Sequence, residues 1–288
     1  YYSTFIMSQK TRQEQDSLGK IKVANANLWG AQTQRSLKNF RIGNSIMPIE
    51  IIHALAIIKM SCAKANQKQK LLNPKIARVI IDAAKQVSLG KYDEHFPLSV
   101  WQTGSGTQTN MNVNEVIANI ANRKIIKKLG TNSPVHPNDH VNKSQSTNDS
   151  FPSAINIASK LKIISELIPA LKSMEKVLKS QSQKWKSIIK IGRTHLQDAT
   201  PLSLGQEFSG YQAQINSNIR RVEGTLTNLS YLAQGGTAVG TGLNTKRGFD
   251  QLVVSEISKI TKAKFKPAPN KFQALASHDS IIELSGVL

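Results

Sequence analysis

The chain has 288 residues, of which 39% are hydrophobic and one is cysteine; this is long enough to bury a core and excludes an internal disulfide framework or a cysteine-rich zinc site. Leu, Ile and Val are too plentiful for a wholly disordered chain, and the longest strongly apolar run, 51–58, is far too short to span a bilayer. The formal net charge of +20 comes from basic residues scattered along the chain, which disfavours nucleic-acid binding and leaves an enzyme with anionic substrates or a lysine-rich solvated surface.

Helical periodicity dominates the first half of the chain. Pro48 suits a first helical turn, and apolar residues recur every three to four positions after it. A second helix is predicted from Pro74, with Gly90 as its stop, and a third over about 111–129. The only fair strand candidate is the short extended piece at 21–23.

Two longer apolar stripes are predicted in the second half. The first spans 161–178, with Pro169 as a kink. The second spans 204–229 and its apolar residues are spaced like a heptad seam. A helix of that length has too little local core for a monomer, so we expect a long-helix bundle that self-associates through 204–229. A coiled-coil adaptor is the alternative, but the polar segments between the helices argue against it.

The first of three polar stretches is 103–112. Its glycines let the backbone approach a ligand, and the following helix presents free N–H groups to an anion. Ser105, Thr107 and Asn110 add neutral donors. No strand precedes the stretch and the glycine spacing of a dinucleotide loop is missing, so the alternatives are a ligand site or a simple capped turn.

The second stretch, 136–149, is almost wholly polar. His136 and His140 stand four residues apart, which on a helix would suit a pair of zinc ligands. Pro137 between them argues against a regular helix, so a zinc pair is disfavoured.

The end of this stretch leads into an apolar helix. Ser146, Thr147 and Asn148 are predicted to hold a carboxylate through neutral hydrogen bonds. Helix capping is the alternative role for Asn148 and Asp149, because both stand where N-cap residues are preferred.

The third stretch, 192–201, contains His195. It is the only histidine of the chain with Arg193, Thr194, Gln197 and Asp198 around it. Such neighbours can set the tautomer and the protonation of an imidazole, which favours a catalytic role. A packing or capping histidine is the alternative.

These three stretches, in this order and spacing, resemble the fumarase/aspartase superfamily and, within it, class II fumarate hydratases. The likeness includes 28–36, 235–244 and 268–272, so it covers nearly the whole chain. Gly-Ser-Gly-Thr-Gln before Asn-Met-Asn, and His195 where aspartate ammonia-lyases typically carry Gln, favour fumarase over its nearest rival.

The resemblance implies an all-α fold, with an N-terminal helical domain over 1–145, part of a long-helix central bundle over 146–288, and no C-terminal domain. It implies the reversible hydration of fumarate to L-malate in the tricarboxylic acid cycle, without metal, nucleotide or redox cofactor. It further implies a homotetramer whose sites draw on three subunits, with no nucleic-acid or membrane partner. The expected compartment is the cytoplasm, or the mitochondrial matrix if residues 1–6 remain from a leader.

By the same resemblance, His195 would orient or activate the water that adds or leaves. A set of neutral donors would hold the two substrate carboxylates: Ser105, Gly106, Thr107, Ser146, Thr147, Asn148 and Thr194. A second dicarboxylate site outside the active centre would comprise His136, Pro137, Asn138 and Asp139. Some fumarases carry an arginine at the position of Ser133, which bears on that second site.

The chain also departs from the family pattern. The resemblance covers about the first three-fifths of a fumarase and stops before the loop that supplies a serine base. We therefore expect little or no hydratase activity from the 288 residues alone. Aspartate ammonia-lyase and a non-catalytic structural member of the superfamily are the alternatives.

Overall fold

A computed structural model of the chain describes residues 10–288 and is mainly helical, which confirms the predicted fold class. The α-helices of this part of the chain are α1 (Ala31–Asn39), α2 (Ile49–Lys68), α3 (Pro74–Ser88), α4 (Thr107–Ile126), α5 (Thr147–Lys162), α6 (Ile168–Lys184), α7 (Leu204–Thr225), α8 (Phe249–Thr261), α9 (Lys271–Ala276) and α10 (Asp279–Val287). The strands are β1 (Thr11–Asp16), β2 (Gly19–Ala24), β3 (Ile189–Thr194), β4 (Gln197–Ser203), β5 (Tyr231–Leu232) and β6 (Lys266–Pro267). β1 pairs with β2 and β3 with β4 in antiparallel fashion, while β5 and β6 are parallel.

The helices belong to two compact units. The first unit comprises the described residues up to Ala158 together with Tyr231–Ser277, and the second comprises Ser159–Ser230 together with His278–Leu288. These units do not divide at residue 145, where the predicted first domain ends, because the chain returns at Tyr231 and packs α8 against α2. The boundary predicted from the family resemblance stays a prediction.

The core of the first unit forms around α2. This helix is apolar on nearly every side and packs against α3, α4 and α8. Leu55 and Ile58 are fully buried, and each contributes about 1.5–3 kcal/mol relative to an exposed side chain. Pro74 occupies the first turn of α3 and the preceding Asn73 caps it, as the predicted start requires.

The second unit is built on α6 and α7, which pack along each other around Ile163, Ile168, Val222 and other apolar residues. A π-helical turn, Ile163–Leu167, separates α5 from α6, and Pro169 is the second residue of α6. The predicted kink at Pro169 stays a prediction. Part of the 204–229 stripe is not covered by the chain itself, since 43% of Tyr211 is exposed. Self-association through this stripe remains a prediction.

Several predicted boundaries are corrected. α4 begins at Thr107 and ends at Ile126, because Lys127 adopts a left-handed backbone conformation. The prediction of 21–23 as the only strand was wrong, because β3 and β4 form a hairpin from the third polar stretch. The usual strand pattern of alternating apolar and polar residues is weak there, because polar residues lie on both faces of the hairpin. A two-residue turn joins the two strands.

Between residues 10 and 288, no helix combines the length and the apolar character needed to cross a bilayer. Residues 1–6, on which the expected leader depends, lie outside the described residues.

Candidate active site

The first two polar stretches meet at the N-termini of α4 and α5. Gly106 directly precedes α4 with φ of +78°, and a Cβ added there would lie 2.3 Å from the Phe151 ring of α5. The Asn110 amide of α4 donates a 3.0 Å hydrogen bond to the Thr147 hydroxyl of α5. Glycine is therefore required for the close approach of the two helix ends. Each helix N-terminus carries a partial positive charge, which suits an anion, although the Thr109 and Asn148 N–H groups already donate to side chains of this chain.

The predicted donors at these ends differ in exposure. Ser105 and Thr107 are exposed, and their hydroxyls have no hydrogen-bond partner within the described part of the chain. Ser146 is half-buried and its hydroxyl accepts the Asn148 N–H at 3.2 Å, while the Asn148 amide donates to the Ala238 carbonyl at 2.8 Å. The structure thus brings together the first two groups of predicted site residues, with two hydroxyls free for a ligand.

A buried carboxylate lies directly behind the N-terminus of α5. Asp149 is the third residue of α5, and its carboxylate accepts the Ser146 N–H at 3.0 Å, as the N3 residue of a capping box does. The predicted N-cap position of Asn148 and Asp149 is therefore corrected, because both lie inside the helix. Its other oxygen accepts the N–H groups of Gly235 and Thr237, each at 2.9 Å, and the Gln234 amide at 3.2 Å. Burial raises the pKa of Asp149, and these hydrogen bonds oppose the rise. Asp149 thereby joins the 235–244 stretch to Ser146–Asn148.

The predicted second anion site is one short π-helical segment, Pro137–Val141. The Nδ1 atom of His136 accepts the N–H groups of Asn138 and Asp139 at 3.2 and 3.1 Å. The Nδ1 atom of His140 accepts the His136 N–H at 2.9 Å, and burial lowers the His140 pKa. In the described residues, no group of three or more His, Cys, Asp or Glu side chains is arranged to hold a metal ion. Anion binding by this segment stays a prediction.

His195 occupies the tip of the β3–β4 hairpin in the second unit. His195 and Leu196 have φ of +48° and +64°, as a two-residue turn of the type I′ class requires, and both are exposed. The neighbouring Arg193 and Asp198 face each other across the hairpin at 3.3 Å. Thr194 is also exposed and pairs with the first residue of β4. The structure therefore places His195 and Thr194 in one unit and the helix-end donors in the other.

Sequence reasoning missed one buried and one partly buried lysine of the first unit. Lys59 of α2 is fully buried, and Lys271 of α9 donates to the carbonyls of Leu232 and Gln234, each at 3.1 Å. Burial lowers the pKa of both ammonium groups, that of Lys59 to about 8. Lys59 had a recognisable signal, since it stands in an otherwise apolar run of a buried helix.

The model of a family described as lyase matches residues 19–288. A class II fumarate hydratase of Rickettsia bellii is 55% identical over 96% of this chain and 60% of its own length. A mitochondrial fumarate hydratase of Saccharomyces cerevisiae is 54% identical over 98% of this chain and 58% of its own length. The crystal structure of a class II fumarase from Schistosoma mansoni superposes with a TM-score of 0.94 at 43% identity, over 96% of this chain and 62% of that one.

The chain thus spans about 60% of the length of these curated relatives, as the resemblance implied. The resemblance to class II fumarate hydratases is confirmed by the same matches. Since the family model covers nearly all of the described residues, the chain belongs to the lyase family.

Proposed function

We propose that the protein carrying this chain is a class II fumarate hydratase, which adds water reversibly to fumarate to give L-malate in the tricarboxylic acid cycle. The observation that carries the proposal is the meeting of two helix N-termini, one of which carries the free hydroxyls of Ser105 and Thr107, on a chain 55% identical to a class II fumarate hydratase. The net charge of +20 agrees with a dianionic substrate.

The chemistry suits neutral donors at helix ends. Removing a proton beside a carboxylate builds a second negative charge on that carboxylate, as an aci-carboxylate. Hydroxyls and backbone N–H groups fixed in advance stabilise this charge where it develops. Ser105 and Thr107 at α4, with Ser146, Thr147 and Asn148 at α5, would supply these contacts, and Gly106 allows the two ends to approach.

His195 would orient or activate the water, with Thr194 beside it as a further carboxylate donor. Its exposed position at a hairpin tip agrees with a role in a site completed by other subunits of a homotetramer. The left-handed backbone of His195 and Leu196 agrees with a functional position, because strained residues often occur at active sites. The relatives are both bacterial and mitochondrial, so the cytoplasm and the mitochondrial matrix are both proposed compartments.

The test is hydration of fumarate by the natural protein, followed by the loss of fumarate absorbance in buffer without ammonium. His195→Asn should lower kcat about 10²–10⁴-fold, the range that a positioned acid or base contributes. His278→Asn is the matched control, because His278 is another exposed histidine of the second unit, and it should leave kcat unchanged.

Two results would refute the proposal. Product formation that requires ammonium would identify an aspartate ammonia-lyase instead. Wild-type protein that is folded but converts fumarate neither with water nor with ammonium would favour a structural member of the superfamily. Equal kcat for the two histidine variants would show that His195 is assigned wrongly.

A further inference from the structure

Lys59 is a buried ammonium that the proposed chemistry does not use. It lies in α2 with none of its surface exposed, among buried apolar residues. Burying an ammonium is costly unless hydrogen bonds satisfy it, so its partners indicate what it does.

The ammonium is held by the turn that leads into α5. Its Nζ atom donates to Asn142 Oδ1 at 2.8 Å and to Gln145 Oε1 at 3.0 Å. Gln145 is the residue directly before Ser146. Lys59 therefore fixes the segment from which the proposed carboxylate donors of α5 begin.

The same contacts reach α4. Asn142 Oδ1 also accepts from the Asn110 amide at 3.3 Å, and that amide donates to the Thr147 hydroxyl at 3.0 Å. One ammonium thus stands at the base of a chain of hydrogen bonds that links both helix ends of the candidate site. Displacing it would loosen Asn142, and with it the contact between Asn110 and Thr147.

A second anchor keeps the turn folded without Lys59. Asn66 lies two helical turns further along the same face of α2. It donates to the Lys143 carbonyl at 3.0 Å and accepts from the Ser144 hydroxyl at 2.8 Å. Loss of Lys59 should therefore disturb the end of the turn near Ser146 more than its overall fold.

The charge of Lys59 is not neutralised by direct contact. Among the described residues, no carboxylate lies within ion-pairing distance of its Nζ atom. The ionisable groups that interact with it are Cys62 on its own helix and Asp149 on α5. A lysine held by neutral amides adds positive potential behind two helix ends that already attract anions.

We propose that Lys59 is a positioning residue of the candidate active site: its ammonium holds Asn142 and Gln145, and through them sets the ends of α4 and α5 for a dicarboxylate. The inference rests on the proposed function. A purely structural ammonium would instead leave KM at its wild-type value, because removing it would strand the oxygens of Asn142 and Gln145 and lower only the free energy of unfolding.

The test compares Lys59→Met with Lys64→Met in the natural protein. Lys64 lies on the same helix, is partly exposed and pairs with Glu256 outside the network. Lys59→Met should raise KM for both fumarate and malate about tenfold, the value of one charge-assisted contact, with a smaller change in kcat. Lys64→Met should leave both constants at their wild-type values.

The pH profile gives a second readout. Wild-type kcat/KM for fumarate should decline above about pH 8 as Lys59 loses its proton, since fumarate itself stays a dianion there. That decline should be absent from Lys59→Met and retained in Lys64→Met. Cys62 and Asp149 are present in all three proteins, so the difference between profiles reports Lys59.

Gln145→Met covers the case in which Lys59→Met does not fold, because it removes one acceptor and keeps the lysine. It should raise KM severalfold. If Lys59→Met folds and its KM is unchanged, Lys59 is a structural residue and the inference is overturned. If Lys59→Met is unfolded, an unchanged KM in Gln145→Met overturns the inference in the same way. Wild-type protein without hydratase activity would instead overturn the proposed function, and this inference with it.

Discussion

Replacing Gly106 by alanine should destabilise the chain strongly, because two separate costs fall on one methyl group. A non-glycine residue in the left-handed region loses about 1–2 kcal/mol, and Gly106 has φ of +78°. The new Cβ would also lie 2.3 Å from one ring carbon of Phe151 and 2.4 Å from another. Forcing a methyl group into such a contact typically costs about 1–3 kcal/mol. We expect a total loss of about 2–5 kcal/mol in the free energy of unfolding.

Urea unfolding of the chain, followed by circular dichroism, measures this loss. Gly19→Ala is the matched control, because Gly19 has φ of +103° in the same unit and an added Cβ would meet nothing within 4 Å. It should incur only the backbone cost of about 1–2 kcal/mol. The difference between the two variants isolates the clash with Phe151.

A double variant tests the cause of the clash. Phe151→Leu removes the ring, so Gly106→Ala should cost less in that background, with a coupling of about 1 kcal/mol or more. Equal losses for Gly106→Ala and Gly19→Ala, or a loss that Phe151→Leu leaves unchanged, would refute the account of how α4 and α5 meet. In the natural protein, Gly106→Ala should also raise KM for fumarate.

Three further predictions follow from buried or strained groups. The folded-state pKa of Lys59, about 8, is below its ordinary 10.5, so between these pH values the unfolded state holds more protons and the free energy of unfolding rises with pH. Between pH 8 and 10.5, the free energy of unfolding of the wild type should thus rise on the order of 3 kcal/mol more than that of Lys59→Met in urea titrations. Cys62 contributes in the opposite direction, but it does so in both proteins. The absence of this rise would show that Lys59 is not desolvated. Glu115→Ala should lower the free energy of unfolding by at least about 3 kcal/mol in urea unfolding, because the Glu115 carboxylate accepts four hydrogen bonds from Gly30, Gln32 and Thr33. The control, Glu166→Ala at an exposed ion pair, should lower it by under about 0.5 kcal/mol. Similar losses in the two variants would contradict this reasoning. Leu196→Gly should raise the thermal midpoint, since Leu196 has φ of +64° and is 93% exposed, so glycine relieves backbone strain without loss of packing; a lower midpoint would mean that the turn is unstrained.

Local patterns in the sequence were enough to predict most helices and the polar stretches. The start of α3 at Pro74 depends on backbone rules that act within a few residues. The glycines and hydroxyls of 103–112 and 136–149 indicated anion chemistry for the same reason, because a helix end presents free N–H groups wherever it begins. The resemblance to class II fumarate hydratases rested on these same local motifs.

The hairpin of β3 and β4 was not predictable from periodicity. Residues 189–203 are mostly exposed, and apolar and polar residues alternate only over the first few positions. Pairing across the turn, and the left-handed backbone of His195 and Leu196, give this segment its shape. Strand propensity depends on such cross-strand partners more than on the residues alone.

Only the tertiary structure decided which polar groups share a site. The bond from Asn110 to Thr147 joins residues 37 positions apart, and the contact of Lys59 with Gln145 joins residues 86 positions apart. Their meeting depends on where α2, α4 and α5 cross, and a helical period specifies the buried face of a helix without specifying its neighbour. The burial that lowers the Lys59 pKa arises from that packing. The sequence by itself determined most helices and the polar residues at their ends. The crossing of the helices decided that a lysine of the core lies behind the candidate site.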